Sequence, residues 1–370
     1  MKRIFLLMLI GSWQPLFAND GVFYAMGNTL IPLKETSVQL KKEILSLERR
    51  GDWMQVDIYF EFFNPGPEKE LTVGFVTPPA MGDFPEEEAA HPQVKDFMVM
   101  ADNRILPYKI AQLKETGFMI SDKLADGHDF VYHFTVRFAK GLTVIRHSYL
   151  YRGGATVDTK NDFYYRLTTG TSWANGVIGD FELNISMGDD SYFAIPSAFG
   201  AVPVKWTLVG VGQISPVLIH NPYEEEGGGS HLRMTLIRKG KLQLRQTNFR
   251  PQKDLALTIF QPHSEVALWC DKKSVNEFAG YPGLLWGDSV EAAVHALSGQ
   301  QLRLYRNLNF ARMGYAFKDE SLREAFSKYY WYLPDPAIKP ENAPDLYVPK
   351  ELMKLILAEE NSRKQKTGIE

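Results

Sequence analysis

The chain has 370 residues, with 41 Lys and Arg against 44 Asp and Glu and a formal charge of −3. So mild an acidic balance argues against a nucleic-acid partner, which would require a basic face. The single cysteine, Cys270, excludes an intramolecular disulfide, so stability has to come from packing, for which a 13% aromatic content supplies material.

At the start, Met1, Lys2 and Arg3 precede an apolar run from Ile4 to Ile10. Gly11, Ser12 and Pro15 then break the helix, and Leu16-Phe17-Ala18 places a small residue before Asn19. This is the layout of a secretory signal peptide, with cleavage expected between Ala18 and Asn19 and an apolar run too short for a permanent anchor. Loss of Lys2 and Arg3 takes the charge from −3 to −5. No cysteine follows the run to carry a lipid, and no later stretch has the length and apolarity of a membrane helix. The expectation is an extracytoplasmic protein, periplasmic or secreted, without a membrane span in the mature chain.

Residues 19–265 read as successive strands. From Met54 to Phe63, Met54, Val56, Ile58, Phe60 and Phe62 alternate with Gln55, Asp57, Tyr59 and Glu61, the period of a half-buried strand. Asn64-Pro65-Gly66-Pro67 ends it, and Leu71, Val73 and Phe75 begin the next. Phe97–Met100 and Ile105–Ile110 flank a hairpin turn at Asp102-Asn103-Arg104. Phe130, Tyr132, Phe134, Val136 and Phe138 share a face, and Lys140-Gly141 turns the chain into a strand over 142–151. Phe181, Leu183 and Ile185 mark another. Leu232, Met234 and Leu236 are expected to face Leu242 and Leu244 across a hairpin at Arg238-Lys239-Gly240, and Leu255, Leu257 and Ile259 close the series. Such a run predicts a mainly β fold, an antiparallel β-sandwich region built as one large or two smaller sandwiches. Glu224-Glu225-Glu226-Gly227-Gly228-Gly229 reads as a flexible loop and a plausible internal boundary.

After Pro262 the pattern turns helical. Asp288-Ser289-Val290-Glu291 has capping-box spacing ahead of Val290, Ala293, Val294 and Leu297. Ser298 and Gln301 repeat it for a second helix with Leu304, Leu308 and Ala311 on its apolar side, and Gly314 marks the stop. Asp319 caps a third helix carrying Leu322, Ala325, Phe326 and Tyr329. A fourth begins at Pro349 with Leu352, Leu355 and Ile356 on one side, and the polar tail 361–370 is expected to fray.

The stretch Leu302-Arg303-Leu304-Tyr305-Arg306-Asn307-Leu308-Asn309-Phe310-Ala311-Arg312-Met313-Gly314-Tyr315 resembles the YARHG domain family, named for a tyrosine-alanine-arginine-histidine-glycine core. Phe317, Leu322, Phe326 and the Trp331-Tyr332 pair continue the resemblance, which spans about 285–360. Two positions depart from the family. Phe310 replaces the tyrosine and Met313 the histidine, so no role that needs a phenol or imidazole there is retained. The resemblance implies a small helical domain of bacterial envelope or secreted proteins and a part in binding cell-wall or surface components. The β-rich region, including 56–64 and 163–181, resembles uncharacterised exported proteins.

The same residues have a structural account. Arg306, Asn307 and Arg312 lie near a helix end, where they can satisfy the last carbonyls and hold Phe317 and Trp331 over the core, with Phe310, Ala311, Gly314, Tyr315, Leu322 and Phe326 as packing and turn residues. In the binding account, Arg303, Arg306, Asn307 and Arg312 face an anionic polymer and Trp331 and Tyr332 are stacking surfaces.

Elsewhere, no histidine stands at metal-ligand spacing, and Gly170-Thr171-Ser172-Trp173-Ala174 lacks the second glycine of a nucleophile elbow. His133 is expected at the surface and His147 in the core with a hydrogen bond. Cys270 reads as a small buried hydrophobe, and Glu86-Glu87-Glu88 as a solvated loop. No catalytic residue, cofactor or metal is expected. The reading is an exported, non-enzymatic binding or scaffolding protein that contacts a cell-wall polymer or an envelope protein. The alternative is an envelope hydrolase with its site assembled across the sandwich.

Overall fold

The computed structural model describes residues 26–28, 30–33, 36–77, 94–117, 130–155, 159–200, 203–220, 231–261, 290–342 and 347–367. The signal sequence with Ala18 and Asn19, the acidic loops at 86–88 and 224–226, Cys270 and the first capping residues at 288–289 lie outside them.

Strands β1 (Met26–Asn28), β2 (Ile31–Pro32), β3 (Gln39–Arg50), β4 (Trp53–Asn64) and β5 (Lys69–Thr77) come first. They are followed by β6 (Val94–Ala101), β7 (Arg104–Ile105), β8 (Lys109–Gln112), β9 (Phe130–Phe138), β10 (Gly141–Arg152) and β11 (Thr159–Arg166). The last are β12 (Ile178–Ser186), β13 (Ser191–Pro196), β14 (Thr207–Ile214), β15 (Ile219–His220), β16 (His231–Phe249) and β17 (Leu255–Phe260). Four helices complete the described chain: α1 (Val290–Ala296), α2 (Gly299–Arg312), α3 (Glu320–Ser327) and α4 (Lys350–Thr367).

The fold is mainly β. A 13-stranded sheet runs β1-β11-β17-β13-β16-β12-β3-β4-β10-β6-β7, with β14 and β15 also on β16, and a four-stranded sheet runs β2-β5-β9-β8. Most pairs are antiparallel, but β12 lies parallel to β3 and β1 parallel to β11. Those two exceptions join strands far apart in sequence, which no hairpin signal can reveal.

Period-two alternation places Met54, Val56, Ile58, Phe60 and Phe62 of β4 in the core, as predicted. The small sheet packs against this part of the large one: Phe75 lies 4.6 Å from Tyr149, Phe97 4.7 Å from Tyr132 and Phe62 5.7 Å from Phe138, between ring centroids. The turn between β9 and β10 is therefore a corner between sheets, because β9 pairs with β5 and β8 whereas β10 pairs with β4 and β6. Positive φ at Asp102 (44°) and Asn103 (65°) forms the predicted turn, but the strand expected over 105–110 is corrected: Arg104–Ile105 stay paired with β6, whereas Lys109–Gln112 pair with β9 of the small sheet.

The expected hairpin at Arg238-Lys239-Gly240 is corrected. β16 runs unbroken through these residues. Gly240, at φ 116°, faces Gly210 of β14, and a Cβ there would fall 2.1 Å from the Val209 carbonyl oxygen. Glycine here permits a close strand contact rather than a reversal. A register shift against β14, between the Lys239–Val211 and Ile237–Gly212 pairs, leaves Arg238 unmatched, and one strand thereby serves two cores: Leu232, Met234 and Leu236 pack with the helices, whereas Ile237, Leu242 and Leu244 pack inside the sandwich.

Ser298 and Gln301 form the predicted reciprocal capping box on α2, and Asp319 caps α3. Helix α4 continues past 361 to Thr367, and Arg363 donates to the carbonyls of His295 (2.9 Å) and Leu297 (2.7 Å) at the end of α1. A cationic side chain on these unsatisfied carbonyls gives the last turns of α4 a tertiary anchor.

His147 is buried as expected, but neither ring nitrogen has a hydrogen-bond partner among the described residues. Phe60, Phe75, Phe97 and Tyr149 surround it at 5.5–5.7 Å, and this burial pushes the imidazole down from 6.5 to about 3. Between those values the unfolded chain takes a proton that the native chain refuses, so stability falls as pH drops below 6.5. The share owed to this group is roughly 2 kcal/mol by about pH 5. In urea titrations, His147→Leu should reduce the stability lost between neutral pH and about pH 5 by that amount; an unchanged loss would contradict this account.

Candidate functional site

The outward face of the small sheet carries a groove of about 640 Å³. Because side chains alternate along a strand, the residues of β9 that point away from the core are Val131, His133, Thr135 and Arg137. Val131 is covered by a small cluster with Ile31, Val76 and Leu113. Beyond that cluster the floor stays open: Thr72 faces Thr135 across the β5–β9 ladder, and Lys109 faces His133 across β8–β9. Leu33 forms one wall, Pro107 and Tyr108 another, and the 115–117 turn a third. The turn is held by the Thr116 hydroxyl and amide, which both donate to the Leu113 carbonyl, at 2.8 and 3.0 Å.

The C-terminal motif lies elsewhere, against β13 and β16, and its residues do not converge on a single surface. Arg303 is half-exposed, and donates to Ser321 at 2.9 Å and to Asp319. Hydrogen bonds from Ser321 and the Leu322 amide, with Arg303 beside them, hold the Asp319 carboxyl down at about 2. Arg306 pairs with Glu360 of α4, and the Asn307 amide donates to the Arg303 carbonyl at 2.8 Å.

Arg312 is 8% exposed. Its guanidinium lies 4.8, 4.9 and 4.2 Å from the ring centroids of Tyr192, Trp331 and Tyr347 and donates to the Tyr347 hydroxyl at 3.0 Å. Trp331 and Tyr332 are 1% and 3% exposed, so their rings stack inside the domain and offer no surface to an external ligand. Trp331 lies parallel to Tyr329 at 5.3 Å, and the Tyr332 hydroxyl donates to the Tyr315 carbonyl at 3.0 Å.

The remaining motif residues build the turn and the core under it. Ala311 is fully buried and Phe310 packs on Tyr315. Gly314 takes φ 90°, and a Cβ there would meet an Arg238 nitrogen at 2.6 Å and the Leu333 carbonyl oxygen at 2.8 Å. Phe317 stacks on Phe326 at 5.4 Å, beside buried Leu322.

Sequence reasoning missed the residues that complete this arrangement. Buried Asn309 imitates a strand edge: its carbonyl accepts from the Tyr347 and Val348 amides at 3.0 Å, and its amide donates to the Val348 carbonyl at 2.9 Å. That clamp places Tyr347 over Arg312. Arg238 of β16 donates to Asp190 at 2.8 Å and reaches the Arg312 and Leu333 carbonyls, and Gln213 of β14 donates to the Tyr330 carbonyl. An asparagine on the apolar side of a helix was the one available signal.

Residues 284–345 match the YARHG domain family. Residues 284–345 of the C-terminal helical module are a YARHG domain. The fold as a whole is shared with a candidate nutrient-binding protein from Legionella pneumophila subsp. pneumophila str. Philadelphia 1. That likeness covers 92% of this chain and 100% of the other, with TM-score 0.62 and 19% identity. A comparison with curated proteins finds no match. Among the described residues no helix is long and apolar enough to cross a membrane.

The two kinds of arginine in the YARHG domain should respond differently to truncation. Arg312→Ala removes a desolvated cation from three rings and should cost about 2–4 kcal/mol in urea unfolding. Arg303→Ala breaks a half-exposed pair and should cost under about 1 kcal/mol. Equal losses would contradict the caged geometry.

Proposed function

We propose that this chain is an exported, non-enzymatic binding protein of the bacterial envelope whose ligand occupies the groove on β5, β8 and β9. The observation that carries this reading is the groove itself: a concave site of about 640 Å³, in the range of small-ligand pockets, on a paired and rigid floor. The fold it shares with a candidate nutrient-binding protein supports the same reading. So does the YARHG domain, together with the signal-like start at Met1–Ala18.

In this account the YARHG domain buttresses the sheet, because its cationic centre, Arg312, is enclosed. Arg303, Arg306 and Asn307 are left as a secondary contact with an envelope surface, while Trp331 and Tyr332 support the domain from within. The groove contact is made with a cell-wall component or another envelope molecule.

Pull-down of the purified full chain with isolated sacculi and with membrane fractions tests the reading, together with fractionation of the producing cells. Retention by one of the fractions, and recovery of a chain starting near Asn19 outside the cytoplasm, is expected. A cytosolic chain that still carries Met1 and is retained by neither fraction would overturn it.

A further inference from the structure

The outward face of the large sheet carries a depression of its own, about 280 Å³ in volume, on β3, β4, β10 and β6. Every residue of its lining stands inside a described strand. We propose that it is a site for a zwitterion, a free apolar amino acid, whose ammonium group meets Asp57 and whose carboxylate meets Arg146. The site is distinct from the groove on the small sheet and does not depend on the binding reading above.

Strand register builds the depression from side-chain length. Ser46 of β3, Asp57 of β4 and Ser148 of β10 stand side by side in one cross-strand row, with about 4.8 Å from strand to strand. The next row is Ile44, Tyr59, Arg146 and Met100, and Met98 stands beside Ser148. Short side chains beside long ones leave a hollow, and its floor holds one carboxylate with a hydroxyl on either flank. All three can accept from the N–H groups of an ammonium.

The two charges are placed for one ligand. Asp57 lies diagonal to Arg146 across the β4–β10 ladder, about 7–8 Å away between Cα atoms. Other charges on this face are matched: Lys42 with Asp180 at 3.0 Å, Arg245 with Glu182 at 3.0 Å and Arg50 with Glu48 at 3.4 Å. Asp57 and Arg146 make no such ion pair among the described residues. Arg146 is held at the wall, 5.4 Å from the Tyr59 ring centroid, and donates to Asn103 at 2.9 Å, which leaves further N–H groups for a carboxylate. Partial burial pushes the Asp57 carboxyl up, opposed by Arg50 and Gln55 and reinforced by Glu48, and a ligand cation would relieve that cost.

Arg146 repels a simple cation and Asp57 a simple anion, so the pair selects a ligand that carries both charges. Ile44, Tyr59, Met98 and Met100 supply the apolar wall for an aliphatic side chain. The volume is at the small end for ligand pockets, which suits a single residue rather than a polymer.

Calorimetric titration of the full chain with L-leucine and L-methionine, beside N-acetyl-L-leucine and L-leucinamide, tests the assignment. The variants are Asp57→Asn and Arg146→Gln, each shown to be folded by its thermal transition. At least one of the two amino acids is expected to bind, with the acetylated and amidated forms about tenfold weaker or worse, since each lacks one charge. Asp57→Asn should weaken L-leucine about tenfold and narrow its advantage over N-acetyl-L-leucine, whereas Arg146→Gln should narrow its advantage over L-leucinamide. That crossed pattern separates a lost contact from a damaged fold. Equal affinity for the charged and blocked forms, amino-acid binding unchanged in both variants, or no binding of either amino acid at millimolar concentration would overturn the assignment. None of these results bears on the groove of the small sheet, which the sacculus and membrane pull-downs test separately.

Discussion

A guanidinium taken out of water is costly unless its surroundings replace what water supplied, and the C-terminal third of this protein is organised around that requirement. Arg312 finds its replacement in three aromatic faces and one phenol oxygen. Each ring reaches it by a different route. Trp331 follows α3, Tyr347 is drawn in by Asn309, and Tyr192 comes from β13 of the large sheet. The cage is complete only when the helices are docked, so the cost of burying the cation couples the domain to the sheet.

The apolar packing obeys the same logic. Tyr192, Ala194, Leu232, Met234 and Leu236 of the sheet share one cluster with Leu302, Leu308, Phe326 and Ile356 of the helices. β16 makes this possible through the register shift at Arg238, beside Gly240, where Gly210 opposite leaves room for the backbones to approach. Leu232, Met234 and Leu236 face the helices, whereas Ile237, Leu242 and Leu244 face the sandwich. The groove on the small sheet rests on that sandwich, at a different part of the molecule from the arginine cage. Support and recognition are thereby separated: one end of the fold is sealed, and the outward face of the small sheet is concave and lined with hydroxyls.

Much of this was legible in the sequence, for local reasons. Strand β4 declares itself by alternation, the β6–β7 turn by Asp102-Asn103, and α2 by Ser298 with Gln301, since each signal operates within a few residues. What escaped notice depends on partners far along the chain. The parallel pairing of β3 with β12 leaves no local trace, and Gly240 carries the same turn signal whether a strand reverses or runs on past a close neighbour. Arg312 was picked out as a motif residue, yet the rings that enclose it come from 192, 331 and 347. Thr72 and Thr135 carry no signal in the sequence, because outward polar positions on a strand ordinarily mean nothing more than solvent. His147 shows the opposite failure: its burial is legible, but not the ring-rich, apolar surroundings that give its nitrogens no hydrogen-bond partner among the described residues.

Native-state hydrogen exchange tests the central claim, that the YARHG domain and the sheet it covers form one cooperative unit. Amides in α2 and in the 232–237 part of β16 should exchange with a common free energy near that of global unfolding, and Arg312→Ala should lower both together. If α2 opened well below the global value while β16 kept its protection, the domain would be an independently folding attachment, and the enclosed arginine would not couple it to the sheet.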